Sequence, residues 1–142
     1  MRTRERCHRC HPEAGEARGL ELLAYFGIAD WADARIENLS HGMKQKLVIA
    51  SALVHDPELL IIDEPMVGLD ALAQKQVKVL FRRLVKEKKT VFLTTHTLSV
   101  AEAVCDRIAI INHGKIIASG TTSELKSDRQ LEDVFLELTY ET

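Results

Sequence analysis

Two apolar periods run along this chain, and the change from one to the other divides it. Over residues 1–15, rich in Arg, Cys and His, neither period is present, and the stretch reads as a loose or foreign tail. From Glu16, Leu20, Leu23 and Ala24 share one helical face, and Gly27 offers a stop. Residues 33–36 read as a short turn or helix. Ser40 is placed to cap a helix over 43–54. Asp56-Pro57 breaks it. The continuous run Leu59-Leu60-Ile61-Ile62 predicts a strand buried on both faces. Gly68-Leu69-Asp70 predicts a turn with Asp70 as the next cap. Ala73, Val77, Leu80 and Leu84 then recur at helical spacing, with Lys75, Lys78 and Arg82 elsewhere on that helix. Residues 90–95 are apolar and β-branched, hence a second strand. A short helix over 98–104, a strand over 107–112, a turn at His113-Gly114 and a returning strand over 115–118 follow. Thr121 and Glu124 have capping-box spacing, and 131–138 reads as a last amphipathic helix.

Strands alternating with helices from Pro57 onward predict an α/β sandwich with a mostly parallel sheet. Residues 16–55 form a small helical layer attached to it, and 56–142 carry the sheet. Composition changes this picture little. Hydrophobic residues make up 46% of the 142 and charged ones 28%, which favours folding over disorder. A formal charge of −2 gives no reason to expect nucleic acid as a partner. No apolar run approaches a membrane span, and the basic start lacks the apolar core of a signal peptide. The expectation is a cytoplasmic chain, with Cys7, Cys10 and Cys105 as reduced thiols.

The strongest local signal is Leu59-Leu60-Ile61-Ile62-Asp63-Glu64-Pro65, an apolar run that delivers two acids to a strand's carboxyl end. In open α/β sheets that end is where ligands bind. One carboxylate there can hold Mg²⁺, directly or through water, and a second can polarise an attacking water, the two needs of phosphoryl transfer. The ordinary alternative is a strand running into a solvated acidic turn. Just upstream stands Leu39-Ser40-His41-Gly42-Met43-Lys44-Gln45. A Ser and a close-approach Gly at a helix start suit an anion, although many plain capped helices begin this way. Gly68-Leu69-Asp70 by itself is a turn and a cap. Thr94-Thr95-His96 closes the second strand, where a lone His is commonly just a satisfied polar residue.

Taken in order, these four signals resemble the nucleotide-binding domain of ABC transporters. They match its signature motif (usually LSGGQ), its acid pair, its D-loop and its switch histidine. The likeness runs from residue 16 to 142 and includes the hairpin Asp106-Arg107-Ile108-Ala109-Ile110-Ile111-Asn112-His113-Gly114-Lys115-Ile116. The form Leu-Ser-His-Gly-Met and the ending 131–139 look like the ABC-2-type exporter branch. His41 stands where the family has its first signature Gly, and Met43 where it has Gln. The resemblance implies part of a P-loop NTPase core of RecA type with a small helical subdomain. It implies Mg²⁺ organised by Asp63, Glu64 as general base, and His96 as donor to the γ-phosphate of ATP. Ser40, Gly42 and Asp70 would meet nucleotide at a dimer interface with a second nucleotide-binding domain. Separate membrane permease chains would hold the subunit at the inner face of the cell membrane.

No G-x-x-x-x-G-K-[ST] occurs in the sequence, and none of its seven glycines precedes Lys-Ser or Lys-Thr. The family's adenine-stacking aromatic and Q-loop glutamine are missing as well. The resemblance places all three upstream, and places the strand feeding that loop between the strand at 90–95 and the strand at 107–112. Two sheet edges would then stand open, and marginal stability is expected. The functional alternative is a non-catalytic remnant or split half-domain that supplies the signature in trans. A chromosome- or repair-type ATPase shares the motifs but fits less well, since coiled-coil heptads and basic runs are lacking. Cys7-His8-Arg9-Cys10-His11 has the form of a haem attachment or zinc sequence. Without an export signal it reads as a chance cluster.

Overall fold

Among the described residues, three helices begin at a side-chain cap, with Ser40, Asp70 and Thr121 each accepting from an N–H of the first turn. The computed structural model describes residues 12–126, 132–133 and 135–136. It divides into two compact units, residues 1–94 and 95–142.

In the first unit, helix α1 (Pro12–Tyr25) precedes two 3₁₀ turns, Ala29–Trp31 and Ile36–Asn38. It begins four residues before the change of pattern at Glu16. Pro12 suits a first helical turn, since its missing N–H would have no partner there. Gly27 ends the element with φ +67, a left-handed stop open to glycine at no steric cost. The buried residues here are Leu22 of α1 and Phe26 just past its end, whereas Leu20 is exposed and Leu23 only half-buried. That corrects the expected stripe of Leu20, Leu23 and Ala24. The reason is a clasp with a later helix. Tyr25 Oη donates to the Gln76 carbonyl at 2.9 Å, and Gln76 Nε2 donates back to the Tyr25 carbonyl at 3.2 Å. This fixes the rotation of α1, turning Leu22 and Phe26 inward.

Helix α2 (His41–Leu53) is capped by Ser40, whose Oγ accepts from the Met43 N–H at 3.2 Å. Strand β1 (Leu59–Asp63) and strand β2 (Thr90–Thr94) pair in parallel, Leu59 opposite Thr90 and Asp63 opposite Thr94. Helix α3 (Ala71–Lys86) makes the crossover that a parallel pair requires. Asp70 caps it, its Oδ1 accepting from the Ala73 N–H at 2.8 Å. The stripe Ala73, Val77, Leu80 and Leu84 is buried as expected, with Phe81 beside it. Helices α2 and α3 contact this sheet.

Leu60 and Ile62 are buried, but Leu59 and Ile61 are 51% and 67% exposed, and Phe92, opposite Ile61, is 58% exposed. The expectation of burial on both faces is therefore wrong. Among the described residues, the unit's helices cover one face and nothing covers the other. Each strand of this sheet also has one partner among the described residues.

Between α2 and β1 the backbone turns at Asp56, φ +50. The Asp56 carboxylate accepts from Lys89 Nζ, and Arg18 lies 3.5 Å away. The hydrogen bond from Lys89 holds the Asp56 carboxyl below its ordinary range, with partial burial opposing and the charges of Lys89 and Arg18 assisting. A depressed folded-state pKa means stability that is present at neutral pH and lost as pH falls through the folded value. Asp56 is largely exposed, so solvent screens the pair. Asp56→Asn keeps a residue that tolerates the left-handed bend. It is expected to cost about 0.2–1 kcal/mol at neutral pH. Urea midpoints of mutant and wild type should converge in acid, below the Asp pKa in both states. A gap unchanged with pH would refute this origin.

The second unit holds α4 (Leu98–Val104), the antiparallel hairpin of β3 (Arg107–Asn112) and β4 (Lys115–Thr121), and α5 (Thr122–Lys126). His113 and Gly114 turn the hairpin with φ +46 and +77, the two positive angles of a type I′ turn. The capping box forms: Glu124 Oε2 accepts from the Thr121 N–H at 2.7 Å, and Thr121 Oγ1 accepts from the Glu124 N–H at 3.1 Å. Cys105 is a free thiol whose pKa is raised by burial and by Asp106. The α/β class holds, with β1 and β2 as its parallel pair. Of the tail expected over 1–15, residues 1–11, with Cys7 and Cys10, lie outside the described residues, and 12–15 are helical, as part of α1. Half of the helix expected over 131–138 also lies outside the described residues; residues 132, 133, 135 and 136 are helical.

Candidate functional site

An apolar strand that ends in two acids presents them differently, because successive residues point to opposite sides. Asp63 closes β1 in register with Thr94, and the Thr94 hydroxyl donates to its carboxylate. Glu64 lies one residue past the strand, in the left-handed region at φ +45. A non-glycine residue there is uncommon and costs backbone energy. Surrounding bonds hold the bend. The Glu64 N–H donates to the Thr94 carbonyl at 3.0 Å. The Glu64 carbonyl accepts from the Val67 N–H at 3.2 Å and from Gln45 Nε2 at 3.1 Å. Both peptide groups flanking the Glu64 side chain are thus tied down.

The signature-like segment packs against the turn that follows. A Cβ on Gly42 would lie 2.8 Å from the Gly68 carbonyl oxygen, too close for any side chain. Gly68 has φ +75, and a Cβ there would fall 2.2 Å from Cδ2 of the His41 ring. Gly42 is therefore required by contact with backbone and Gly68 by its left-handed φ, and His41 has a place: its imidazole covers Gly68. In this way the start of α2, the acid pair and the turn into α3 gather within one unit. Of the expected site residues, Ser40, Gly42, Asp63, Glu64 and Asp70 belong to it. His96 lies in the second unit, exposed, between β2 and α4. Beside it the Thr95 hydroxyl accepts from the Thr97 N–H at 3.1 Å.

Sequence reasoning missed Gln45. It is a polar residue on a helix, with a partner 19 positions on, and no local signal marks such a bond. It also left His41 without a role.

A divalent ion would find one exposed carboxylate, Asp63, already oriented by Thr94. Among the described residues no three His, Cys, Asp or Glu side chains cluster to form a cage. The donor set suits Mg²⁺, which is commonly bound through one or two carboxylates with water and substrate phosphate completing its shell. Among the same residues no helix is long and apolar enough to cross a membrane.

A family model described as ABC transporter matches residues 2–67, so the match takes in the stretch 2–15 that pattern alone sets apart. The daunorubicin/doxorubicin resistance ATP-binding protein of Streptomyces peucetius is 46% identical over 78% of this chain and 33% of its own length. The linearmycin resistance ATP-binding protein of Bacillus subtilis is 41% identical over 91% of this chain and 41% of its own. A solved ATP-binding subunit of an ABC transporter superposes with a TM-score of 0.82 at 31% identity, over 89% of this chain and 55% of that one. The chain thus spans well under half the length of these two sequence relatives. Motif order, the parallel β1–α3–β2 unit ending in Asp63 and Glu64, and the likeness in sequence and structure agree: the chain belongs to the ABC transporter ATP-binding family and represents part of that family's domain.

Proposed function

We propose that the chain is part of an ATP-hydrolysing subunit that powers export through separate membrane permease chains. The observation that carries this is Glu64, held in a costly left-handed bend at the tip of β1 by bonds to both its peptide groups. Asp56 bends in the same way at an exposed turn; what sets Glu64 apart is its place at the tip of β1 and the Gln45 side chain that reaches its carbonyl from α2.

In this reading Asp63 holds Mg²⁺, through water, and the ion supplies charge neutralisation at the phosphates. Glu64 accepts a proton from the attacking water. His96 donates to the γ-phosphate. Ser40 Oγ uses a lone pair to cap α2, which leaves its O–H to donate to a phosphate oxygen. Gly42 lets the backbone come close, and the first N–H groups of α2 face an anion favourably. These two act on ATP held by a second nucleotide-binding domain, and Asp70 belongs to the same interface through its loop. The relatives' names concern drug resistance, and an exported small molecule is the substrate class that follows.

A second reading is a non-catalytic half-domain that supplies the signature face in trans, supported by the Ser40 cap and the close approach at Gly42 at the start of α2. One assay separates the two. ATP turnover is measured for the purified chain, alone and mixed with a polypeptide carrying the phosphate-loop part of the same family domain. Turnover in the mixture only is expected. Turnover by the chain alone would refute dependence on the other part, and an inert mixture would favour the non-catalytic reading.

A further inference from the structure

We infer that Gln45 is a positioning residue that ties the signature helix to Glu64 within one subunit. The inference rests on the reading of Glu64 as the base.

Glu64 is a strained residue whose carboxylate direction depends on its backbone. Its N–H is bound to β2 and its carbonyl to the Val67 N–H. Those bonds belong to the sheet and to the turn, both close by in structure. The Gln45 amide is different, because it comes from α2, just over one helical turn beyond Ser40. Two further contacts make that link rigid. Gly42 lies against the Gly68 carbonyl with no room for a methyl group, and the His41 ring covers Gly68. The Gly68 contacts and the Glu64 carbonyl thus bracket the segment 64–68, and α2 touches both ends of it. A tilt of the α2 start cannot leave 64–68 undisturbed, since close-packed contacts transmit displacement rather than absorb it. Whatever engages Ser40 and Gly42 is felt at the Glu64 peptide. The consequence is coupling in cis: occupation of the signature face adjusts the base of the same subunit.

The test uses amide hydrogen exchange on the full chain. Gln45→Met keeps length and removes the donor. Gln45→Glu keeps shape and sets an acceptor against the Glu64 carbonyl. Both are expected to speed exchange of the Glu64 and Val67 amides about 10-fold, the scale of one lost hydrogen bond. The Leu80 and Leu84 amides, in the core of α3, should be unmoved. Unchanged Glu64 and Val67 amides would overturn the inference, and so would equal acceleration throughout α3, which marks a general loss of stability. A change in Gln45→Glu without one in Gln45→Met would trace the effect to charge and overturn it too. In the two-part mixture, kcat should fall about 10-fold with KM for ATP unmoved; a KM effect alone counts against the inference. If wild-type mixture shows no turnover, the ATPase reading fails by itself, and exchange still decides whether Gln45 holds Glu64.

Discussion

Glu64→Gln is expected to lower ATP turnover of the reconstituted domain by about 10²–10⁴-fold, the range in which a positioned general base contributes. The backbone N–H and carbonyl of residue 64 are both hydrogen-bonded. Glutamine keeps them, along with the size of the side chain, and loses the basic oxygen. Stability should therefore stay within about 0.5 kcal/mol of wild type. Nucleotide affinity should hold as well, since the proposed reading assigns binding to the phosphate loop of the added part and to Asp63 rather than to Glu64. The loss belongs in kcat, as expected for an interaction made only in the transition state. Steady-state turnover with a parallel nucleotide-binding titration checks this. A variant that keeps more than a tenth of the activity would remove Glu64 from the chemistry.

Phe81→Ala is expected to remove about 3–5 kcal/mol of stability, the usual result of deleting a buried ring. Phe81 is 2% exposed, within the buried stripe of α3. Domains of this size have about 5–15 kcal/mol to lose. Here one sheet face brings no burial of its own within the described residues, so the reserve is small. Urea unfolding followed by circular dichroism should show the cooperative transition nearly abolished. Val79→Ala on the same helix removes an exposed side chain and is expected to stay within about 0.5 kcal/mol. Similar losses for both would mean that α3 is not anchored by that stripe.

What could be read from the residues depended on how local each determinant was. The caps at Ser40 and Asp70, the His113-Gly114 turn and the Thr121–Glu124 box involve neighbours within a few positions, and all form. The α3 stripe was legible because only one face of that helix is apolar. On α1 two apolar stripes overlap, and the choice is made by Gln76, 51 residues from Tyr25. The run Leu59–Ile62 has no alternation, so nothing in it could reveal which face stays covered. Asp63 and Glu64 were visible as a pair, but their different fates were not: one completes a strand, the other bends out of it. Gln45 and the Asp56–Lys89 pair were hidden because their partners are distant in the chain.

The left-handed bend at position 64 sets stability against chemistry. Glycine would relieve about 1–2 kcal/mol there, and asparagine would sit more easily than glutamate. A descendant released from turning over nucleotide would gain firmness by dropping the carboxylate. In the proposed reading, a glutamate at that position therefore gives up firmness that a glycine would supply, in exchange for a carboxylate at the strand tip.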